Sequence, residues 1–509
     1  MSLQPKRAEI PTSGGKDYCR HRWLVVLLVA IAVLLAYRAT HIDGDLIYRH
    51  SYGESQYAMW AKGYAEEGFF WGYREVDRYQ PIVNYFPLTS LLGAYLNRAT
   101  SLDLVVAGRM VAYFASVLAA GGMYLVARRV FADRLRAVVA LLLFTAVPVN
   151  MYFSKTFYND PVHLCLLVFF VLGVLVDFEG KGSRRTYAAT ALVITLVLLT
   201  KASSLLVCAP VITLLVVDLR RRSQPFGLSR FFAYLAPVCC AGVILLAARL
   251  THSDAYLVES NKLIDDTVLQ NPTVFLRAAM EEFQAEFGYL MGFSAVGCLV
   301  ALRHRLLRLF LGMALGFSFF YLLVLRGALI HQYYLLPLTI PVAILSCGGF
   351  FWLLEQTRSI LLRAGLALFL VLSVGESTLR LDEAFAPVYS EGVVEVAERL
   401  AREEDHGRTL VLGGTCRIFQ YYLSVPTAQI KCDAEGFLTG SDVVDYLARN
   451  TVQYVIAEEN GHQRHELLAD HGFHFLFMSD YGRGALRYVV YRKNGGGGNE
   501  RQLSAITLH

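Results

Sequence analysis

The sequence predicts an α-helical polytopic membrane protein that ends in a soluble α/β domain. Three observations carry this. Of the 509 residues, 55 % are hydrophobic and only 17 % are charged, against about 25 % charged in an ordinary soluble domain. The apolar residues come in long runs, and the mean hydropathy is +0.43. From about residue 383 the runs give way to the mixed composition of a soluble domain. This excludes a disordered chain, a collagen and a small disulfide scaffold. The net charge of +5, from 47 basic and 42 acidic residues, is too mild to point to nucleic acid, and membrane lipids are the expected surroundings. Nine cysteines without a CxxC pair or a Cys/His cluster carry no zinc signal.

Residues 23–36, WLVVLLVAIAVLLA, form the first apolar run. The following YRATHIDGD offers no small-residue cleavage site, so the run reads as a retained helix. Lys6, Arg7, Lys16, Arg20 and Arg22 precede it, which makes residues 1–22 a basic cytoplasmic N-terminus. Further runs lie at 104–127, 137–153, 162–178, 186–200, 202–217, 231–250, 288–302, 309–325, 335–354 and 364–379. Together they predict about 11 spans over residues 23–382, on the roughly 20-residue requirement for crossing hydrocarbon.

Charge placement tests this independently. Alternate turns are basic: Arg128, Arg129, Arg134 and Arg136; Lys181, Arg184 and Arg185; Arg220, Arg221, Arg222 and Arg230; Arg303, Arg305 and Arg308; Arg358 and Arg363. With an odd number of spans, the C-terminal region is expected outside the plasma (inner) membrane. Two long loops, 40–103 and 251–287, fall on that outer side and hold acids and aromatics. Their AEEG and AAMEEFQAEF stretches have helical period and suit the membrane surface.

Residues 383–494 alternate helix-like and strand-like segments. EGVVEVAERLAREE precedes TLVLGG, SDVVDYLARN precedes VQYVIAE, and RHELLADHG precedes FHFLFMS and LRYVVYR. Cys416 and Cys432 fall here and read equally as a disulfide or as two buried thiols. Residues 495–509 read as a flexible tail.

Five segments hold chemistry-bearing residues near the outer side. HIDGDLIYRHSYGESQYAMWAKGYAEEG places Asp43, Asp45, Arg49, His50 and Glu54 close to the first helix. A carboxylate there can serve as a general base, and Glu54 equally suits a helix N-terminus. NYFPLTSLLGAYL carries Pro87 at a helix start, which structure alone explains. FSKTFYNDP puts Asp160 directly before a span, with Lys155 as its expected partner. LLTKASS interrupts an apolar stretch with Lys201, which either snorkels to the interface or holds a phosphate. RGALIHQYYLLPLTIP clusters Arg326, His331, Tyr333 and Tyr334, a set suited to a phosphate headgroup.

The order of these features over most of residues 23–380 resembles the polytopic glycosyltransferases of the C-type fold. Among these it looks like the bacterial relatives of protein O-mannosyltransferases and of the lipid A aminoarabinose transferase. The TK turn and the HQYY…P element are the more telling matches. The resemblance implies transfer of a sugar from a polyprenyl-phosphate donor to a protein, lipid or glycan acceptor on the outer face. It implies an acid base in the first loop. The family's Asp-Glu pair reads Gly53-Glu54 here, so Glu54, Asp43 and Asp45 are the candidates. Asp160 would assist a metal or the acceptor, and Lys201, His331 and Tyr334 would line the carrier phosphate. A divalent metal ion, if used, would fall to Asp160 or Glu54. The competing class is a transporter or flippase for a lipid-linked sugar or organic solute. Against it, the sequence shows no paired broken helices in two similar halves.

Overall fold

The computed structural model describes residues 14–40, 42–43, 51–68, 86–224, 226–251, 270–288, 290–325, 329 and 331–384. In the C-terminal region it describes 396, 399–400, 408–412, 419, 430–433, 443, 447, 452–458, 468, 470, 473–478 and 488–493. Asp45, Arg326 and Cys416 lie outside the described residues. The chain divides into two compact units. The first comprises Met1–Gly44, Trp60–Tyr73 and Gln80–Phe385; the second comprises Asp45–Met59, Arg74–Tyr79 and Ala386–His509.

The structure is mostly helical. Its helices are α1 (Gly14–Arg38), α2 (Ser51–Glu67), α3 (Leu88–Thr100), α4 (Leu104–Phe131), α5 (Arg134–Ala146), α6 (Pro148–Phe153), α7 (Asp160–Phe178) and α8 (Arg184–Thr200). They continue as α9 (Leu205–Arg221), α10 (Leu228–Tyr234), α11 (Ala236–Thr251), α12 (Pro272–Phe287), α13 (Leu290–Ala301), α14 (Leu307–Leu323), α15 (Thr339–Gln356) and α16 (Ile360–Ala384). Among the described residues, four helical segments are long and apolar enough to cross a membrane: Leu104–Phe131, Asp160–Phe178, Ala202–Arg221 and Gln332–Gln356. The bent pair Pro272–Phe287 and Leu290–Ala301 would make a fifth.

Local chemistry sets the helix ends. Asp103 accepts from the backbone N–H of Val105 and Val106 and starts α4. Asp133 does the same for α5 through the Arg136 N–H, and Ser183 for α8 through the Thr186 N–H. α5 stops where Pro148 removes the N–H that Phe144 O would have received. Asn150 Nδ2 donates to Phe144 O at 2.8 Å, and Arg38 Nη2 donates to Thr145 O at 2.7 Å. The break is therefore satisfied from within α6 and from α1.

α7 carries a buried carboxylate at each end, about 26 Å apart along the axis. At its C-terminal end Asp177 accepts from Arg230 Nε and Nη2 and from the Tyr187 hydroxyl. Glu179 beside it pairs with Arg129 and Lys181, and Arg305 reaches both Asp218 and Phe178 O. The basic turns of the sequence thus gather at this end. Asp160 occupies the opposite end.

Small residues set the tightest crossing. A Cβ on Gly297 of α13 would lie 2.0 Å from Leu345 O, and one on Gly349 of α15 would lie 2.1 Å from Phe293 O. Glycine at both positions lets the backbones touch. Ser346 adds a hydrogen bond to Leu290 O at 2.9 Å.

The second unit contains a five-stranded sheet of β1 (Arg408–Leu412), β2 (Ile430–Asp433), β3 (Val452–Glu458), β4 (Phe473–Met478) and β5 (Tyr488–Lys493), in the order β2-β1-β3-β5-β4. β2, β1 and β3 run parallel, whereas β5 is antiparallel to both β3 and β4. A parallel neighbour needs a crossover connection. Helical Val443 and Leu447, four apart and both buried, lie in the connection before β3 and join Leu410, Val455, Leu468 and Phe473 in one core. Ile430–Asp433 is a strand without sufficient hydrophobic alternation in the sequence to announce it.

Gly349→Ala is expected to lower stability by about 1–3 kcal/mol through overpacking. Thermal unfolding in detergent checks this. Gly365→Ala, whose added Cβ meets nothing within 4 Å, serves as the unaffected control.

Candidate active site

The site is built on the segment between α6 and α7. Phe157 is fully buried, and its ring occupies the space that side chains at Gly93 of α3 and Gly108 of α4 would fill, with contacts as close as 2.3 Å to a Cβ on Gly108. Two glycines facing one ring thus make the socket that fixes the segment. Asn159 then ties it to two others. Its Oδ1 accepts from Thr89 N at 3.2 Å and Thr89 Oγ1 at 3.0 Å, while its Nδ2 donates to Phe86 O at 3.2 Å and Thr200 O at 3.4 Å. The Phe86 N–H donates to Leu199 O at 2.7 Å and closes the ring of contacts. Pro161 sits in the first turn of α7, where its fixed φ suits a helix start, and leaves Asp160 at the tip.

α8 ends at Thr200, and Lys201 follows in extended conformation, capped by its own N–H to Val197 O at 3.0 Å. A single 3-10 turn, Ala202–Ser204, leads into α9. This turn is fastened to α7 by two parallel bridges. Lys201 Nζ donates to Asp160 Oδ1 at 2.7 Å, and Ser204 Oγ lies 2.6 Å from His163 Nε2. Asp160 and His163 are three apart and share a helix face. The Lys201 side chain is 19 % exposed and that of Asp160 8 %. A lone ammonium at such depth is costly; the carboxylate offsets that cost and points the lysine.

The aromatic wall comes from the stretch ahead of α15. His331 is extended, and Gln332–Leu338 forms a 3-10 run with Pro337 inside it. Lys201 Nζ lies 4.9 Å from the Tyr333 ring centre and 4.5 Å from that of Tyr334, within cation–π range. His331 stacks on Tyr333 at 5.1 Å and 17°. Tyr158 lies 5.6 Å from Tyr333, and Phe153 5.9 Å. Asp160, Lys201, His331, Tyr333 and Tyr334 therefore converge, and His331, Tyr333 and Tyr334 are half-buried rather than sealed. An ammonium, an imidazole and two phenols around one point can receive the oxygens of a phosphate.

Lys155 is not the partner of Asp160. The Phe157 socket separates the two along the segment, and the Lys201 turn reaches the carboxylate instead. Lys155 Nζ donates to Thr40 O at 3.1 Å, lies 3.4 Å from Thr40 Oγ1 and sits 5.3 Å from the Tyr37 ring centre. Burial and the neighbouring Arg109 charge push its amine down to about 8.

Of the candidate bases, Asp43 is exposed just beyond α1, and Asp45 lies outside the described residues. Glu54 stands in the first turn of α2, is 1 % exposed, and belongs to the second compact unit. Arg326 also lies outside the described residues. Among the described residues, no three His, Cys, Asp or Glu side chains group as a metal ion requires. The Asp160 carboxylate is engaged by Lys201.

Asn159, His163 and Ser204 belong to this cluster and are passed over by the motif reading. His163 interrupts the apolar run DPVHLCLLVFF, and an ionisable residue inside a span is the signal that could have found it. Asn159 is masked in the sequence by the Asp-Pro that follows it.

The family described as "6-pyruvoyl-tetrahydropterin synthase related domain; membrane protein" matches residues 83–250, which include the Asp160 and Lys201 segments. No curated protein matches the chain. Solved structures do. ArnT from Cupriavidus metallidurans bound to undecaprenyl phosphate is 15 % identical, with TM-score 0.64 over 94 % of this chain and 99 % of its own. The archaeal oligosaccharyltransferase AglB from Archaeoglobus fulgidus, in complex with an inhibitory peptide and a dolichol-phosphate, is 14 % identical, with TM-score 0.58 over 94 % of this chain and 74 % of its own. The arabinofuranosyltransferase AftD from Mycobacteria is 14 % identical, with TM-score 0.59 over 93 % of this chain and 40 % of its own. The chain has the fold these proteins share, that of the C-type polytopic glycosyltransferases.

Asn159→Ala abandons one donor pair and one acceptor pair in a buried setting, at about 1–3 kcal/mol for each group left unsatisfied. The expected loss is about 2–4 kcal/mol, read as earlier unfolding in detergent. Asn159→Asp keeps the acceptor toward Thr89 but turns a carboxylate oxygen on the Phe86 and Thr200 carbonyls, so it is expected to lose at least as much as Asn159→Ala.

Proposed function

We propose that this protein is a membrane glycosyltransferase that moves a sugar from a polyprenyl-phosphate donor to a protein, lipid or glycan acceptor. The observation that carries this is the Lys201 ammonium, pointed by Asp160 at 2.7 Å and roofed by Tyr333 and Tyr334. The shared fold supports it, and the structures of that fold named above include two bound to a polyprenyl-type phosphate.

In the reaction, the acceptor oxygen or nitrogen forms a bond to the anomeric carbon as the bond from that carbon to the carrier phosphate breaks. The electron pair leaves with the phosphate, whose added charge Lys201 offsets, with His331, Tyr333 and Tyr334 as hydrogen-bond partners. The acceptor proton passes to a carboxylate, with Glu54, Asp43 and Asp45 as the candidates. One displacement inverts the anomeric centre and needs no covalent sugar–enzyme step. Asp160 keeps the lysine from folding back.

The same reading takes the apolar segments as about 11 spans, with the N-terminus in the cytoplasm of a bacterial-type plasma membrane. It takes residues 383–494 as an extracytoplasmic domain that selects the acceptor. The end of the bundle holding Asp160 and Lys201 would then face outward, opposite the basic turns.

Lys201→Met is expected to lower sugar transfer from a polyprenyl-phosphate donor by about 10²–10³-fold, the usual loss of one preorganised charge partner. Asp160→Asn should fall in the same direction. Glu54→Gln, Asp43→Asn and Asp45→Asn, assayed singly, identify the base as the variant that loses transfer while still binding undecaprenyl phosphate. Full activity of Lys201→Met, or solute flux into liposomes without sugar transfer, would overturn the reading. A periplasmic reporter fused at the C-terminus should be active and a cytoplasmic one silent.

A further inference from the structure

Lys155 and Arg109 are buried cations that the mechanism above does not use. Arg109 is 2 % exposed and Lys155 3 %. They come from different elements, α4 and the segment before α7, yet Arg109 is close enough to Lys155 to disfavour its charge. A buried cation has to be met by acceptor atoms. Their contacts show what the charges serve. Lys155 Nζ donates to Thr40 O at 3.1 Å, and Arg109 Nη1 donates to Ile42 O at 3.3 Å. Both carbonyls belong to the exit of α1, past its last turn, where unsatisfied carbonyls and the negative end of the helix dipole favour cations. The last turn itself is held by Arg38, fully buried, through Thr145 O. The chain leaving α1 is thus fastened at three successive points, at Arg38, Thr40 and Ile42. The next described residue is Asp43, the first of the candidate carboxylates.

We infer that Lys155 and Arg109 are positioning residues that hold the exit of α1, and with it Asp43, in register with the Lys201–Asp160 site of the same compact unit. The inference rests on the glycosyltransferase reading. One segment performs both tasks: Lys155 grips the α1 exit, and five residues on Asp160 grips Lys201. A shift of the α1 exit and Asp43 relative to Asp160 and Lys201 therefore has to stretch that segment, which Phe157 and Asn159 pin in between.

Lys155 gives the inference a signature of its own. Its amine lies at about 8, lowered first by burial and then by Arg109. The groups facing it include Arg109 from α4, with the Tyr37 ring and Thr40 from α1 and its exit. Below pH 8 the charged ammonium holds the Thr40 carbonyl. Above it the charge is lost and the grip weakens, so turnover should fall through pH 8. An arginine at this position stays charged and should remove that alkaline limb.

The test uses full-length protein in detergent, labelled polyprenyl-phosphate sugars extracted from bacterial membranes as donor, and undecaprenyl phosphate as the binding probe. Lys155→Met and Arg109→Met are expected to lower kcat by about 10²-fold, the usual result of misplacing a reacting group by an ångström, with undecaprenyl phosphate affinity unchanged. Lys155→Arg is expected to restore most of kcat and to abolish the limb near pH 8. Should Lys155→Met not fold, the pH profile of Lys155→Arg decides alone. Transfer by the native protein with an alkaline limb that persists in Lys155→Arg, or equal losses of phosphate binding and kcat in the Met variants, would overturn the inference and leave the glycosyltransferase reading standing. A native protein that transfers no sugar would remove both.

Discussion

An ammonium among apolar helices needs an opposite charge or oxygen acceptors to meet it, and here Asp160 meets Lys201. Much of the described structure around the site follows from making that meeting possible. Asp160 must stand at the tip of α7, so Pro161 opens the helix directly after it. Lys201 must leave α8 without continuing as helix, so it takes an extended conformation and hands over to one 3-10 turn. The turn must hold still, so Ser204 locks onto His163 one turn along α7. Removing either charge would strand the other, which is far costlier than never having had the pair.

The segment Ser154–Asn159 acts as the common brace. It is buried throughout, which a connecting segment tolerates only if its backbone and polar side chains find partners. Asn159 supplies them toward α3 and α8, Lys155 toward α1, and the Phe157 ring fills the gap between α3 and α4. At the far end of α7 a second carboxylate, Asp177, is neutralised by Arg230 and flanked by basic turns. The helix thus has a phosphate-suited end and a basic end. That polarity is the structural counterpart of the charge asymmetry in the loops.

Much of this was readable from residues alone. Apolar runs located the helices, and acids or lysines that interrupt such runs located Asp160 and Lys201, because charge next to hydrocarbon needs a reason. The HQYY motif fell beside them in space although about 130 residues separate it from Lys201 along the chain. What the sequence hid was pairing. Lys155 is nearer Asp160 in sequence than Lys201 is, yet chain proximity says nothing about direction once a buried aromatic intervenes. Asn159 was hidden because an amide beside Asp-Pro looks like turn chemistry, and its partners come from remote segments. Arg109 belongs to no motif, and the carbonyl it donates to lies 67 positions away. The short strand Ile430–Asp433 lacked pattern because four residues give too little alternation to judge.

Asp160, Lys201, His331, Tyr333 and Tyr334 stand at a helix tip, in a cap or in a 3-10 stretch, while helix middles such as the Gly297–Gly349 crossing are committed to packing. Recognition and scaffold therefore occupy separate stretches of chain. A substitution in the charged and aromatic cluster therefore need not disturb the helix crossing, and a change at the crossing need not touch the cluster.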